Sequence, residues 1–151
     1  MKPLTLLAAA VLLLLSSSVS AQDKGYWRAA SSNAKAITGD IAISDARLSI
    51  NLVGFTLAQI RALTPAETSA AFDLDSSTGA SGNLYRINIS ASRRFQHHNT
   101  LCGSEDTQWM VTGVSDGALH VDFFSGPNMP VLTLDALANS SDLCGSFTYA
   151  R

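Results

Sequence analysis

The chain has 151 residues, with ten lysines and arginines, twelve aspartates and glutamates, and a formal net charge of −2. This mildly acidic balance argues against nucleic acid or an anionic lipid surface as the main partner, and the length suits one domain. Aspartate greatly outnumbers glutamate, which occurs only at Glu67 and Glu105. Since aspartate, serine, asparagine and glycine favour turns and strand ends, the composition indicates a β-rich fold with many loops.

Residues 1–21 have the pattern of a secretory signal peptide. Lys2 supplies a short basic segment, an apolar run extends from Leu6 to Leu15, and small residues precede a cleavage site at Ala21. The apolar run is shorter than the roughly 20 residues that a membrane-spanning helix needs. We therefore expect cleavage near Ala21, a secreted or periplasmic location without stable membrane insertion, and a single mature domain over residues 22–151.

Three segments alternate apolar and polar residues with the period of two that is typical of half-buried strands. They are 36–43 (AITGDIAI), 47–52 (RLSINL) and 84–90 (LYRINIS). The letters SDA between the first two predict a short hairpin link.

The segment 55–72 (FTLAQIRALTPAETSAAF) interrupts this alternation. Two pairs with capping-box spacing begin at Thr56 and Thr64, and Pro65 suits the first position of a helix. These signals predict two short helices. The following stretch, 74–83, is polar and rich in glycine and serine, which predicts a loop.

The letters TQWMVTGVSDGALHVDFF, residues 107–124, predict a hairpin whose register has two solutions. A three-residue loop over 115–117 puts Trp109 on the same face as the apolar residues of the second strand. A two-residue turn instead puts Trp109 beside His120 and Asp122. The first solution separates apolar from polar residues better, so it is the register predicted here, with His120 on the solvent side.

Near the C-terminus, residues 133–141 predict a short helix that is capped by Thr133 and ends at Asn139. Residues 145–151 predict a final strand with its two aromatic residues inward. Strands outnumber helices throughout the chain. The predicted fold is therefore mainly β, with α+β at the margin: a small antiparallel β-barrel or sandwich with two or three short helices and one disulfide.

If the chain is exported, two cysteines and the asparagines of two sequons could be modified. Cys102 and Cys144 would meet an oxidising compartment, where one disulfide between them is the simplest interpretation. It would close a loop of roughly 40 residues, worth on the order of 4 kcal/mol in the chain-entropy model. Free thiols serving as metal ligands or redox groups remain the alternative. The sequons at Asn88 and Asn139 would accept glycans in a eukaryotic secretory pathway.

Basic residues and histidines collect near the first cysteine, and they are the candidate ligand-binding residues. They are Arg86, Arg93, Arg94, His97 and His98. Arginine can grip a carboxylate or a phosphate with its bidentate fork. The alternative is that these residues protect an edge strand from pairing with another chain.

A metal site at the adjacent histidines is the less favoured interpretation. If residues 95–99 are extended, His97 and His98 point to opposite sides and cannot bind one ion together. A third ligand such as His120 or Asp106 would be needed, and nothing in the spacing requires it to be near. The sequence predicts no metal and no cofactor.

Catalytic chemistry has little support in the sequence. His120, Asp122 and Ser125 can be written as a triad, but adjacent strand positions do not set an aspartate behind a histidine with a serine in front. There is no G-x-S-x-G elbow, phosphate-binding glycine loop or dinucleotide fingerprint. An enzyme is therefore less favoured than a binding protein.

These observations favour a noncatalytic secreted or periplasmic small domain that binds a protein partner or a small ligand, and not nucleic acid. Two alternatives remain open. One is a small secreted hydrolase or metal-dependent enzyme that uses His97, His98 or His120. The other is a structural component of the cell envelope.

One short motif has a family resemblance. The letters GYW at 25–27 resemble the G-x-W motif that opens the first strand of lipocalins, and Arg151 lies in the last predicted strand, as an arginine often does in that family. The resemblance covers four residues, and the second lipocalin motif is absent. We assign no family on this basis, and expect Tyr26 and Trp27 to be aromatic residues of the core or of a barrel mouth.

Overall fold

The computed structural model describes residues 22–151, so the predicted signal peptide lies outside the described residues. Eight antiparallel strands form a closed barrel in which each strand pairs with the next and the last pairs with the first. The strands are β1 (Gly25–Ala29), β2 (Ile41–Ile43), β3 (Arg47–Ile50), β4 (Val53–Ala62), β5 (Ser81–Ile89), β6 (Thr107–Ser115), β7 (Ala118–Phe124) and β8 (Leu143–Ala150). The predicted mainly β fold is confirmed as a barrel.

Short helical segments lie between the strands. Two are α-helices, α1 (Pro65–Phe72) and α2 (Leu134–Ala138). Three more are single turns, at Ala34–Thr38, Ser76–Thr78 and Gln96–His98. Within residues 22–151, no helix has both the length and the apolar character that crossing a membrane requires.

Side chains fill the barrel interior. The largest of them are aromatic and at most 2% exposed, namely Trp27, Tyr85, Phe123, Phe147 and Tyr149. An eight-stranded barrel is just wide enough to be packed by side chains or to hold one small ligand. Here the aromatic rings occupy that space, so we expect a binding site on the outer surface of the barrel.

A second apolar layer covers part of the outside of the barrel. Trp109 and Val111 of β6 point outward and pack with Leu84, Phe124 and Leu132, while side chains of α1 and α2 border this cluster. Strands β5 to β7 therefore have buried apolar side chains on both faces. This layer also explains where the predicted hairpin register fails.

The predicted three-residue loop between β6 and β7 is wrong. Asp116 and Gly117 form a two-residue turn with positive φ angles of 51° and 76°, and Ser115 pairs with Ala118. Trp109 consequently shares the outer face with His120. The prediction assumed one apolar and one solvated face, whereas the second layer buries the outer face as well.

The predicted strand over 36–43 is only half correct. Its first part is the π-helical turn Ala34–Thr38, and β2 begins at Ile41. Gly39 reverses the chain with a φ of 62°. Inside the turn, the buried Thr38 hydroxyl lies 2.7 Å from the Tyr149 hydroxyl, which ties the turn to β8.

The first helix predicted within 55–72 is also wrong, because this part of the chain forms β4. Pairing with β3 on one side and β5 on the other outweighs a capping pattern that is only local. A register shift between Gln59 and Arg61 hides the alternation. The second predicted helix is confirmed as α1, with its capping box at Thr64.

The C-terminal predictions are confirmed. Helix α2 is capped by the Thr133 side chain and ends at Asn139, and Phe147 and Tyr149 of β8 are buried. The disulfide is present between Cys102 and Cys144, whose Cα atoms lie 4.9 Å apart. It joins the loop before β6 to the start of β8.

The GYW segment lies in β1. Trp27 is fully buried, as expected for a core residue, while Tyr26 is 59% exposed, so that expectation is wrong for Tyr26. The Arg151 guanidinium stacks 4.5 Å from the Trp27 ring centroid and donates hydrogen bonds to the carbonyls of Gln22 and Lys24. Arg151 thereby holds the N-terminal segment across one end of the barrel.

Asp23 fills that same end of the barrel. Its side chain is 1% exposed, and its Oδ2 atom accepts hydrogen bonds from Asn83 Nδ2 (3.0 Å), Tyr85 OH (2.6 Å) and Thr112 Oγ1 (2.7 Å). Burial, and then the hydrogen bond to Asp23, raise the pKa of Tyr85, so its hydroxyl remains a donor. Asp23 therefore ties the N-terminal segment to β5 and β6.

Replacing Asp23 with alanine is expected to lower the free energy of unfolding by about 2 kcal/mol, because two buried hydroxyls lose their acceptor. Urea unfolding of the D23A variant at pH 7 measures this change. Asp45→Ala is the matched control, since Asp45 is exposed and should change stability by less than about 0.5 kcal/mol. Equal effects of the two substitutions would contradict the assigned role of Asp23.

Candidate functional site

The predicted ligand-binding arginines have separate partners in the structure. Arg86 stacks 4.6 Å from the Trp109 ring centroid and donates hydrogen bonds to Gln108 O (2.9 Å) and Oε1 (2.6 Å). Arg93 lies over the Phe55 ring at 5.8 Å. Arg94 donates to a backbone carbonyl of its own loop. Arg86 is thus held by the barrel wall, and the proposed anion-binding patch remains a prediction.

The predicted histidines occupy a tight turn. His97 and His98 are exposed and have positive φ angles of 53° and 61°, so the segment is not extended as assumed. Among residues 22–151, no group of three or more histidine, cysteine, aspartate or glutamate side chains is placed to hold a metal ion. His120 lies elsewhere, in a groove on the outer wall.

The outer surface carries several grooves, and the one beside β1 to β3 is a poor candidate. It occupies about 730 Å³. Its carboxylate, Asp40, already accepts hydrogen bonds from the Tyr26 hydroxyl and the Ala29 amide. Two adjacent grooves lie beside α1 and α2 and share Ala70 and Leu134 as lining residues. One of them has exposed apolar side chains, and the other has a buried carboxylate oxygen without a hydrogen-bond partner among the described residues.

We call the first of these the apolar groove. It has a volume of about 670 Å³ and lies between α1 and the segment 129–135. Three of its lining side chains are large, apolar and exposed: Met129 at 45%, Val131 at 64% and Leu134 at 70%. An exposed group of this kind marks an interaction site more often than a scattered single residue does.

The loop that carries Met129 and Val131 and leads into Leu134, the first residue of α2, is firmly anchored. Leu132, between two of the exposed residues, is 4% exposed and packs in the second apolar layer. Trp109 Nε1 donates to the Gly126 carbonyl at 3.2 Å, and Ser125 N donates to the Asp142 carbonyl at 2.8 Å. Pro127 and Pro130 further restrict the backbone. The loop therefore presents its apolar side chains in a fixed arrangement.

We call the second the Asp122 groove. It has a volume of about 360 Å³ and lies between the end of α1 and strands β7 and β8. Gly113 of β6, opposite His120, makes room for it, because a Cβ at this position would overlap the Phe72 ring. Phe72 can therefore pack 5.8 Å from the His120 ring and form one wall.

Asp122 is 3% exposed, and its Oδ1 atom has no hydrogen-bond partner among the described residues. Burial raises its pKa from 3.8 to about 6, and Ser146, its partner across β7 and β8, offsets part of that rise. Burial also lowers the pKa of His120. Both side chains are thus held in a setting that disfavours their charged forms.

The geometry does not form a hydrolytic triad. Among residues 22–151, no hydrogen bond joins the His120 ring to Asp122 or to a serine hydroxyl, and Ser125 hydrogen bonds to the Asp142 carbonyl instead. Catalysis by a base requires the base to lie within hydrogen-bond reach of its nucleophile. The arrangement suits binding better than nucleophilic catalysis.

Sequence reasoning missed most of this surface. Asp122 stands in the apolar run VDFF, and an aspartate between buried strand residues was the available signal. For the apolar groove, the signal was three apolar residues around Pro130 in a stretch without periodicity. Neither pattern shows which face α1 covers.

Comparison with known proteins gave no match of any kind. No protein-family model matches the chain, and neither a curated protein nor a solved structure does. The assignment of function therefore depends on the geometry alone.

Proposed function

We propose that this chain is a noncatalytic protein of the periplasm or the cell exterior that binds a protein partner through the apolar groove. The observation that carries the proposal is the exposure of Met129 and Val131 on an anchored loop and of Leu134 at the start of α2. Burying apolar surface drives association at about 25 cal/mol per Å² before the costs of binding. The signal-peptide pattern of residues 1–21 and the disulfide support export.

Preorganisation strengthens this proposal. A loop that is already fixed loses little conformational entropy when a partner binds, so more of the contact energy contributes to affinity. Leu132 below the loop and the Trp109 hydrogen bond provide that rigidity. Met129 adds a flexible side chain that adapts to the shape of a partner.

The charges around the groove suggest what it binds. Arg61 is neutralised by Glu67, to which it donates two hydrogen bonds of 2.7 Å. The neighbouring Asp73 and Asp135 are exposed. This surface therefore complements an apolar segment of a protein with a basic residue beside it.

The other functions have less support. A small ligand inside the barrel would have to displace the aromatic side chains that fill it. A hydrolase or metal enzyme would need partner side chains for His97, His98 or His120. Among the described residues, none of these histidines belongs to a group of three possible metal ligands. A structural role in the envelope also requires a partner, so the same experiment addresses it.

Photo-crosslinking in the producing cell tests the proposal. A photoreactive amino acid at Val131 should give one crosslinked product of discrete mass, and Leu134→Asp should reduce its yield at least tenfold, equivalent to about 1.4 kcal/mol. The control probe is placed at Leu52, which is also apolar and fully exposed but belongs to the β3–β4 turn. Identical products from both positions, or none from Val131, would overturn the proposal.

A further inference from the structure

We infer that the Asp122 groove is a binding site for an organic cation, an ammonium or guanidinium group whose N–H donors meet the Asp122 carboxylate. This site is separate from the partner contact proposed for the apolar groove. It stands on the geometry of the groove and on the chemistry of the residues that line it.

The carboxylate of Asp122 is the central observation. It lies almost completely buried in the wall of a groove of about 360 Å³, with one oxygen that has no hydrogen-bond partner among the described residues. A buried carboxylate oxygen without a donor is costly. A cation that donates an N–H to it would remove that cost, and the volume lies in the range of small-molecule sites.

Asp23 provides a contrast within the same protein. It also has a buried oxygen without a partner, but its other oxygen accepts three hydrogen bonds from β5 and β6. The fold thus stabilises the Asp23 carboxylate by itself. No comparable set of donors reaches Asp122, which leaves it able to bind a donor from outside.

The walls of the groove also suit a cation. Phe72 offers an aromatic ring, which attracts cations through its negative face. Ser69, Ser146 and Thr148 offer hydroxyl oxygens as further acceptors. Hydroxyls accept hydrogen bonds as readily as they donate them, so they can complete the coordination of an ammonium group.

The charged groups that face Asp122 do not oppose this assignment. They are His120 on β7 and Asp73 at the end of α1, while β8 contributes only hydroxyl and apolar side chains. Burial lowers the pKa of His120, so its ring is neutral at pH 7. No lysine or arginine of residues 22–151 lines the groove. An incoming cation therefore meets one neutral ring and two carboxylates.

Titration of the folded protein with agmatine and with n-butylamine, followed by NMR, tests this inference. Both probes should shift the signals of His120 and Ser146 at pH 8. Binding should be at least tenfold weaker at pH 5, where the Asp122 carboxyl is protonated, because burial raises its pKa to about 6. Asp122→Asn should abolish the shifts, while Asp135→Asn, on the exposed surface, should keep them.

The concentration at which the probes bind also distinguishes the source of the cation. Submillimolar binding of a free probe would identify a free amine or guanidine as the ligand, whereas binding only at millimolar concentration would identify a cationic group carried by a larger molecule. Absence of shifts at about 50 mM, or equal shifts in the D122N variant, would overturn the inference. Val131→Asp alters the apolar groove, which Val131 lines, whereas the Asp122 groove does not include Val131. This variant should leave the Asp122-dependent shifts in place, so the two proposals fail separately.

Discussion

Replacing both cysteines with alanine is expected to lower the free energy of unfolding by about 4 kcal/mol. The disulfide closes a loop with a sequence separation of 42, and the chain-entropy model assigns about 4 kcal/mol to a loop of that length. The physical reason is the restriction of the unfolded chain. The bond also fixes the long connection between β5 and β6 to β8, and Phe95 and Leu101 in that connection are buried in the barrel core.

Urea unfolding of the double variant and of the wild-type protein, each with and without reductant, measures this contribution. The reduced wild-type protein should be as unstable as the variant, and the variant should not respond to reductant. A wild-type protein whose thiols are shown to be reduced, yet whose unfolding midpoint is unchanged, would contradict the prediction. Such a result would mean that barrel closure alone holds the connection in place.

The sequence predicted strands in which apolar and polar residues alternate without a break, and it missed β4, where a register shift between Gln59 and Arg61 interrupts the alternation. Ile41 and Ile43 of β2, and Phe147 and Tyr149 of β8, point inward as the alternation indicated. Alternation reports the burial of one face only. Alternation therefore does not show which face points into the barrel where a second layer buries the outer face as well.

The β6–β7 hairpin shows this limit most clearly. Its register decides whether Trp109 lies beside apolar residues or beside His120, and the sequence favoured the better separation of apolar from polar. The long-range packing of Leu132 and Phe72 onto the outer face reverses that preference. Phe72 lies 35 residues before the first residue of β6, and Leu132 lies eight residues after the last residue of β7, so the alternation within the hairpin cannot report this layer.

The candidate site depended on the same missing information. The basic residues near Cys102 were candidates because arginine can bind an anion, but in the structure Arg86 is held by Trp109 and Gln108. Asp122 appeared to be an ordinary solvent-side aspartate. Only the covering helix α1 and the glycine at position 113 convert that position into a groove with a buried carboxylate.

Asp122→Asn is expected to stabilise the protein at neutral and alkaline pH. The folded pKa of Asp122, about 6, lies above its unfolded value of 3.8, so the folded state binds the proton more tightly. Stability from this group is complete below pH 3.8 and is lost as pH rises through 6. Each pKa unit corresponds to about 1.4 kcal/mol, which makes the full loss about 3 kcal/mol.

The difference in unfolding free energy between D122N and the wild-type protein should therefore grow from near zero at pH 3 to about 3 kcal/mol at pH 8. His120 contributes with the opposite sign, because its lowered pKa makes the folded state less stable as pH falls. It is present in both proteins and cancels from the difference. Repeating the pair in a His120→Gln background checks that the two side chains titrate independently.

The expected gain also bears on the role of Asp122. A residue that costs the fold about 3 kcal/mol at neutral pH occupies a position where an amide of the same size would be more stable. Ligand-binding groups are often buried without a partner in the fold, because the ligand provides the missing interaction. If D122N is more stable and also loses cation binding, both results have one cause, the unpartnered carboxylate. A D122N variant that is less stable at pH 8 would show that the fold itself satisfies this charge, and would remove the physical basis of the cation site.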